Sequence, residues 1–463
     1  MIYAVGKKTK KPTKVFLVFI CLTISGCAKR PADQPTIHMD IAPQFWVRVL
    51  LLDDIKACTV TLKTAFEVYD PQTAQKRTFQ KPDAPITIRI AQGKITFAPP
   101  LPAPADSNDT WPATFSAGTE LVMCPQSPYI FDIDGRDYRG KLKLVLNQDN
   151  SSFDAVNLVP LEPYLAGVVG AEMPRWWKPE ALKAQAIAAR TYCLYIKKRF
   201  GQNRHWDVTK TAGSQVYLGL AGESAQIWRA VNATIGRVLA CQVDDRSAQE
   251  QTIEALHGTD YVLFPAYYSS VCGGHSENSQ NVFGGRRFEP LAGVPCPYCK
   301  KTAKTAYLSW QAEFDYDDAC ARLQKKYQKL KSLGKIDQIV PAAGSDYQVK
   351  TRKRTSKLSR LTMIKLVGST GKTEMLRAED FRLSIDPSGN KFKSTICTIE
   401  TDQTSHTASV SEKSAKTLLV AGSGFGHGVG MCQHGAQAMA KRKKNARQIL
   451  SHYYPNSKII SIY

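Results

Sequence analysis

The stretch "LEPYLAGVVGAEMPRWWKPEALKAQAIAARTY" (residues 161–192) predicts two helices and the break between them. In its first part, apolar residues recur with helical spacing, at positions 161, 164, 165, 168 and 169. The Met173-Pro174 step should end this helix, because a residue before proline avoids the helical conformation. Pro179 suits the first turn of a second helix, which we expect to run to Phe200. The break therefore presents one carboxylate, Glu172, just ahead of a helix that carries cations.

Patterning along the rest of the chain predicts an α+β fold. We expect a mixed, β-rich scaffold with a helical core and a β-rich inserted region, because alternating strand patterns flank the helical stretch on both sides. The predicted blocks are a β-rich segment (45–160), a helical block (161–240), a loop block with cysteines and glycines (264–300), a helix with a β-rich insert (310–410) and a C-terminal glycine loop with helices (421–463).

The N-terminus predicts export. A lysine-rich start is followed by the short apolar run "VFLVFICLTI" and then by "SGC", which is typical of a signal peptide over residues 1–26. The small residues before Cys27 resemble the lipobox of bacterial lipoproteins, which implies cleavage there and a lipid on the Cys27 sulfur. Residues 27–44 read as a flexible tether. An uncleaved anchor and plain secretion are the alternatives.

The composition narrows the class of partner. Lys and Arg outnumber Asp and Glu by 62 to 40 in 463 residues, a net charge of +22, which favours an anionic partner. An exported protein meets membrane surface and cell wall rather than nucleic acid. We therefore expect no nucleic-acid partner.

Two pairs of soft ligands stand close together in the loop block. Cys272-x2-His275 and Cys296-x2-Cys299 have the spacing of a zinc ribbon, so Cys272, His275, Cys296 and Cys299 are candidate ligands of a structural zinc. Export favours disulfides instead, with Cys272 bridged to Cys296 or Cys299. Free thiols are the third alternative. No cofactor is expected to be needed for catalysis.

Three stretches together resemble the stage II sporulation protein D / amidase enhancer family. They are "EPYLAGVVGAEMPRWWKPEALKAQAIAARTY", "YYSSVCGGHSENSQNVFGG" and "GSGFGHGVGMCQHGAQAMAKRKKNARQILSHYYP". The resemblance covers roughly residues 45–460 and makes 45–463 one catalytic domain. It implies a lytic transglycosylase that cuts MurNAc-GlcNAc β-1,4 bonds of peptidoglycan, often in strands stripped of their peptides. A second branch of the family enhances cell-wall amidases.

The resemblance assigns roles to residues of the helical block. It implies that Glu172 is the catalytic acid and that Lys183 and Arg190 lie in or beside the active site. Lys183 and Arg190 share one face of the second helix with Ile187. Cations very close to Glu172 would lower its pKa, so we expect them to lie further off and to bind substrate. A solvated basic face is the alternative.

The chemistry of Glu172 can be argued from the residues themselves. Ordinary glycosidases need two carboxylates, and the nearest downstream acid, Glu180, has a simpler role as partner of a helix dipole. A lytic transglycosylase needs one acid, because the C6 hydroxyl of the sugar is the nucleophile. We expect the apolar walls of Met173, Trp176 and Trp177 to raise the pKa of Glu172.

Weaker candidates lie in the second and third blocks. Ser270 is predicted to contact substrate, and the glycine turn "GHGVGM" suggests that His427 faces the groove. A structural histidine is the alternative for His427. Where the family usually has Ser-Gln-Tyr this chain has Cys432-Gln433-His434, so only Gln433 is carried over as a substrate-binding candidate.

Two functions follow as hypotheses. The first is a lytic transglycosylase, lipid-anchored in the bacterial cell envelope, whose partners are peptidoglycan glycan strands. The second is a non-catalytic peptidoglycan-binding protein that enhances a cell-wall amidase. The lone acid with its neighbouring cations favours the enzyme.

Overall fold

The computed structural model describes residue 39 and residues 41–74, 76–97, 115–242, 261–350, 355–403 and 416–463. The predicted signal peptide, Cys27 and most of the predicted tether lie outside these residues, so processing and lipidation stay predictions. Within the described ranges, every helix is too short or too polar to span a membrane.

Strands dominate the first part of the chain, as the alternation of apolar and polar residues predicts. In the first strand Val47, Val49 and Leu51 are buried, whereas the residues between them are half-exposed. The strands described before residue 161 are β1 (Trp46–Ile55), β2 (Ala57–Leu62), β3 (Phe66–Tyr69), β4 (Lys76–Phe79), β5 (Ile86–Ala91), β6 (Lys94–Phe97), β7 (Phe115–Ala117), β8 (Glu120–Pro125), β9 (Ile130–Ile133), β10 (Arg136–Arg139), β11 (Lys141–Leu146) and β12 (Phe153–Pro160).

These strands form two sheets over one apolar core. The larger has the order β13-β1-β12-β11-β8-β3-β4, in which β13 (Val208–Thr209) joins β1 in parallel. The smaller has the order β10-β9-β2-β5-β6-β7. Their buried residues belong to a single cluster that continues into the helical core. The scaffold and the helices that carry Glu172 are thus stabilised by the same burial of apolar surface.

The two helices of the opening stretch have the predicted bounds. α1 (Leu161–Glu172) follows β12 without a linker, and Met173 ends it in an extended conformation. α2 (Pro179–Phe200) begins at the predicted proline. Because α1 continues directly from β12, an interior strand of the larger sheet, its last residue, Glu172, has a fixed position at the end of a rigid element.

The rest of the chain adds short elements around this core and a second core of its own. In chain order they are α3 (Ala225–Asn232), β14 (Arg237–Gln242), β15 (Tyr261–Leu263), β16 (Tyr268–Ser269), α4 (Ser279–Phe283), α5 (Thr305–Leu308), β17 (Trp310–Asp315), α6 (Tyr316–Lys326), β18 (Ile336–Lys350), β19 (Thr355–Gly368), β20 (Thr373–Arg377), α7 (Ala378–Ile385), β21 (Cys397–Gln403), β22 (Lys416–Gly422), β23 (Met431–Cys432), α8 (Gln433–Lys441), α9 (Ala446–Tyr453) and β24 (Ser457–Ser461). The smaller sheets have the orders β15-β14-β24, β16-β23, β17-β22-β21 and β18-β19-β20. This mixture of helices and sheets confirms the α+β class.

The inserted region has a separate apolar core, built from α6, α7 and the strands β17 to β22. It is joined to the first core through Arg360 of β19, which is fully buried. The Arg360 guanidinium donates to the backbone carbonyls of Cys272 (3.1 Å) and His427 (3.4 Å). It also lies 3.9 Å from the carboxylate of Glu277. The insert is therefore attached to the two loops that lie beside the helical block.

Two glycines let α1 approach the segment that follows β13. A Cβ on Gly170 would lie 1.7 Å from the carbonyl oxygen of Gly222, and one on Gly167 would lie 2.5 Å from the ring of Tyr217. Both distances are far below van der Waals contact. The segment 213–222 therefore crosses α1 at a separation that only glycine permits.

We predict that Gly170→Ala destabilises the protein by about 2 kcal/mol in urea unfolding, because the steric cost of overpacking exceeds the roughly 1 kcal/mol that alanine gains in a helix. Gly213→Ala is the control, since its Cβ would meet only Thr211 and Thr209 oxygens at 3.5 and 3.8 Å. Equal stability of the two variants would contradict the close approach.

Candidate active site

Glu172 is held by two neutral donors from distant parts of the chain. The backbone N–H of Val216 donates to its Oε1 at 3.1 Å, and the side-chain Nε2 of Gln433 donates to its Oε2 at 3.2 Å. The residue is half-buried, so it keeps some contact with solvent. A carboxyl group at the end of a rigid helix, fixed on both oxygens and still accessible, is suited to exchange protons with a ligand.

The surroundings of Glu172 favour its neutral form. Burial raises the pKa of this carboxyl above its ordinary value, and the hydrogen bonds from Val216 and Gln433 oppose the shift only in part. In the part of the chain that the structure describes, no lysine, arginine or histidine forms an ion pair with it. The sequence-based expectation of a raised pKa therefore agrees with the site, and desolvation is the cause.

The residues that enclose the carboxyl group differ from those expected. Met173 is buried beside it, but Trp176 is 74% exposed and is no wall of a pocket. Trp177 is half-buried and packs edge-on against His434, with ring centroids 4.9 Å apart. Trp176 therefore presents its indole to solvent in the break between α1 and α2.

A network of tyrosines and one glutamine supports the segment that donates to Glu172. Gln215 accepts from the hydroxyl of Tyr164 at 3.1 Å, and its amide nitrogen donates to the hydroxyl of Tyr268 at 2.8 Å and to the carbonyl of Ala189 at 3.3 Å. A carbonyl can only accept, so the orientation of this amide is settled. The neighbouring Val216 N–H is thereby aimed at the carboxylate.

Tyr268 is a functional candidate that the sequence did not reveal. Burial raises the pKa of Tyr268 well above its usual value, and the nearby charge of Glu172 raises it further. Because its oxygen accepts from Gln215, its own hydrogen remains available to an acceptor close to Glu172. Neither Gln215, Val216 nor Tyr268 belongs to a pattern of spacing, so no signal in a single sequence marks them.

A short parallel pairing of β16 with β23 places Gln433 next to Glu172. In β16 and β23, Tyr268 is opposite Met431 and Ser269 is opposite Cys432. Gln433 follows as the first residue of α8. The structure thus brings the first and third sequence blocks together, and Gln433 contacts the acid itself rather than standing apart from it.

The two predicted cations of α2 both have acidic partners of their own. Arg190 has no exposed surface, and its guanidinium binds both oxygens of Glu162 at 2.9 and 2.6 Å and the carbonyl of Arg237 at 2.9 Å. Lys183 pairs with Glu180 at 2.7 Å, in a cavity of about 460 Å³ that Arg237 and Arg447 also line. Glu172 is not among the lining residues of this cavity. Substrate contact by either cation stays a prediction.

His427 and Ser270 lie on the segments that carry Gln433 and Tyr268, and substrate contact by either residue stays a prediction. His427 donates from Nε2 to the carbonyl of Tyr268 (2.9 Å) and accepts at Nδ1 from the N–H of Val429 (3.0 Å). Burial lowers the pKa of His427 to about 4, so it is neutral at physiological pH. Ser270 accepts the N–H of His434 through its carbonyl at 3.1 Å. Both residues fix the backbone that presents Tyr268 and Gln433.

Three of the four predicted metal ligands come together, and the fourth does not. Cys272, Cys296 and Cys299 form a buried cluster with Cys432, with all four sulfurs within 4.8 Å of one another. His275 lies outside, because its Nδ1 donates to the carbonyl of Ser276 and its ring stacks on Tyr347 at 3.8 Å. Cys432, which the sequence placed in another block, takes its place. Sequence spacing cannot reveal a ligand that is 133 residues from the nearest other one.

A family model described as stage II sporulation protein (SpoIID) matches residues 149–240. The matched range contains β12, α1 and α2, and with them Glu172 and its donor Val216. Gln433 and the cysteine cluster lie outside the match.

Similar proteins of known sequence extend over most of the chain. An uncharacterised protein of Brachyspira hyodysenteriae is 29% identical over 71% of this chain and 74% of its own length. Stage II sporulation protein D of Bacillus subtilis is 28% identical over 66% of this chain and 76% of its own length. The amidase enhancer of the same organism is 27% identical over 71% of this chain, which spans only 45% of that longer protein.

The hydrogen bond from Gln433 should hold down the pKa of Glu172. Gln433→Leu removes a donor to the ionised form, so we expect the pKa of Glu172 to rise further, because the carboxylate loses a hydrogen bond that stabilises it. Carbon-13 NMR titration of the glutamate carboxyls measures this. Gln437→Leu is the matched control one helical turn on, because the Gln437 side chain accepts from Lys178 and makes no bond to Glu172. An unchanged Glu172 titration in Gln433→Leu would contradict the contact.

Replacing Arg190 should lower the stability of the fold more than replacing Lys183. Arg190→Met leaves the largely buried Glu162 with the hydroxyl of Tyr463 as its remaining donor. It should cost about 3 kcal/mol, because breaking a buried pair leaves a charge that is largely desolvated. Lys183→Met removes a pair that is about one-third exposed on both sides and should cost less than about 1 kcal/mol. Urea unfolding measures both. A small loss for Arg190→Met would show that the buried pair is not a structural element.

Proposed function

We propose that this chain is a member of the stage II sporulation protein D family, which its family match and its relatives support, and that it is a peptidoglycan lytic transglycosylase. It cuts MurNAc-GlcNAc β-1,4 bonds of glycan strands and leaves 1,6-anhydroMurNAc ends. The observation that carries the proposal is the state of Glu172, a half-buried carboxyl whose pKa is raised by desolvation and which has hydrogen bonds to two neutral donors.

A carboxyl in this state can act first as an acid and then as a base. Its raised pKa favours the protonated form, as donation to a leaving oxygen requires. Once ionised, it is stabilised by the N–H of Val216 and the amide of Gln433, which makes the return of a proton feasible. Neither donor carries a charge, so neither locks the group in the ionised form.

The neighbouring acids support a one-carboxylate reaction. Glu162 is committed to Arg190, and Glu180 is committed to Lys183 and to the N–H of Ala446. Neither is free to act as the nucleophile or the base that a two-carboxylate glycosidase needs. A reaction in which the sugar supplies the nucleophile removes that requirement.

The proposed step balances without water. Glu172 gives its proton to the O4 of the leaving GlcNAc as the bond from C1 of MurNAc to that oxygen breaks. The C6 hydroxyl of the same MurNAc attacks C1 and forms the 1,6-anhydro ring. Its proton passes to the Glu172 carboxylate, so the acid is restored and the products differ from the substrate only by the moved bond and protons.

Two features are proposed to hold the glycan. Trp176 offers an indole face of the kind on which sugar rings stack, four residues beyond the last residue of α1. Tyr268 offers a hydroxyl hydrogen beside the acid. Lys183 and the cations that line its cavity are proposed to bind acidic groups of the wall, in keeping with the net charge of +22.

We place this activity in the cell envelope. The homologues named for sporulation and amidase enhancement support an exported, wall-associated protein. A lipid on Cys27 that anchors the chain to a membrane is the finer proposal, and it rests on the sequence around the cleavage site alone. A cell-wall amidase is the proposed protein partner, because a peptide-free glycan is the expected substrate.

Incubation with peptide-free glycan strands tests the reaction. Wild-type protein should release anhydro-muropeptide ends that mass spectrometry identifies, and Glu172→Gln should lower their rate of formation at least about 100-fold, the usual effect of a general acid. Glu313→Gln, on an exposed position of β17, is the control and should be as active as wild type. Equal products from Glu172→Gln, or none from the wild type, would overturn the proposal.

The name of the Bacillus amidase enhancer supports a second function, in which the chain stimulates an amidase without cutting glycan. The Glu172→Gln variant distinguishes the enhancer function from the lytic transglycosylase. Stimulation of amidase digestion that persists in Glu172→Gln, with no anhydro products from the wild type, would favour the enhancer.

A further inference from the structure

Four buried thiols meet where the second and third sequence blocks join. Cys272 lies in the glycine loop after β16, Cys296 and Cys299 lie in the turn "VPCPYCK", and Cys432 ends β23. Their four sulfurs all lie within 4.8 Å of one another, and each residue is buried. Among the described residues, this is the group of ligand-type side chains that comes closest to a complete metal site.

The separation of the sulfurs fits a metal tetrathiolate. Zinc binds cysteine sulfur at about 2.3 Å, so two sulfurs at neighbouring corners of a tetrahedron lie about 3.8 Å apart. The Cys272 and Cys299 sulfurs are 3.9 Å apart. A disulfide would bring two of the four to about 2.05 Å, and all ten described cysteines are free thiols. We propose that Cys272, Cys296, Cys299 and Cys432 together bind one structural Zn²⁺.

The surroundings of the cluster supply hydrogen-bond donors and a positive charge, both of which stabilise a doubly negative tetrathiolate. The N–H of Cys272 donates to the sulfur of Cys432 at 3.3 Å, and the hydroxyl of Tyr453 lies 3.1 Å from the sulfur of Cys296. Such donors to ligand sulfurs are the usual outer shell of metal sites. The buried guanidinium of Arg360, bonded to the carbonyl of Cys272, places a positive charge close to the cluster.

Local packing also keeps the cluster closed. A Cβ on Gly435 would lie 2.8 Å from the sulfur of Cys296 and 1.9 Å from the hydroxyl of Tyr453. Only glycine therefore allows α8 to approach these two groups. Four protein ligands leave no position for water or substrate, which makes the site structural rather than catalytic.

The position of Cys432 gives the metal a consequence for the active site. Cys432 directly precedes Gln433, the residue that donates to Glu172. A metal that fixes Cys432 to two other loops also fixes the first turn of α8, and through it the amide of Gln433. We infer that the zinc keeps the side-chain amide of Gln433 in position to donate to Glu172, although the zinc contacts no reacting atom.

Metal content tests the site without reference to activity. The full chain, purified without added metal or chelator, should contain about one zinc per molecule by mass spectrometry of the elements. Thiol titration after denaturation with a chelator should recover Cys272, Cys296, Cys299 and Cys432 as free thiols. Cobalt exchanged for zinc should give the strong visible absorption of a tetrahedral thiolate complex. Absence of bound metal, or disulfides among these four residues in a non-reducing peptide map, would overturn the proposal.

Two variants test whether the zinc is bound by this cluster rather than by another buried thiol. Cys432→Ser should lose at least about ten-fold in zinc affinity, and chelation should no longer lower its melting temperature. Cys320→Ser, a buried cysteine in the second core, should bind zinc as the wild type does. Wild-type zinc content in Cys432→Ser would disprove the ligand set. If Cys432→Ser does not fold, the cobalt spectrum of the unaltered protein decides alone.

Discussion

The two hydrogen bonds on Glu172 are the constraint on which the rest of the site depends. A carboxyl group that is withdrawn from water must be satisfied by donors from the protein, or its burial becomes costly. Here one donor comes from 44 residues downstream and the other from 261 residues downstream. The segment 213–222 must therefore cross α1 closely, which explains Gly167 and Gly170. The first turn of α8 must likewise face α1, which requires the pairing of β16 with β23.

Local features of the site could be predicted from the sequence because local physics determines them. The end of α1 before Pro174 and the start of α2 at Pro179 follow from restrictions on the backbone of one or two residues. The α+β class follows in the same way from the periodicity of apolar residues. The single acid in the break was visible for this reason as well.

Contacts between distant segments could not be predicted in this way. Val216 acts through its backbone, which every residue type possesses, and Tyr268 belongs to no motif. The spacing that suggested His275 as a ligand is equally satisfied by a histidine bonded to its own neighbour, whereas Cys432 lies far along the chain. The cations of α2 were expected to bind substrate at some distance from Glu172, and the structure shows that each has a carboxylate partner of its own, Glu180 or Glu162. Neither cation forms an ion pair with Glu172 in the part of the chain that the structure describes.

Arg360 determines how costly it would be to remove the inserted region from this chain. Surface insertions are usually gained and lost at little thermodynamic cost. This one supplies the buried cation beside Glu277 and the donor for two carbonyls in loops of the first core. Deleting the hairpin of β18 and β19 would leave those groups desolvated, at about 1–3 kcal/mol for each unsatisfied one. The inserted region is thus tied to the first core by these contacts, and only a simultaneous change in Glu277 or its loop would make the hairpin dispensable.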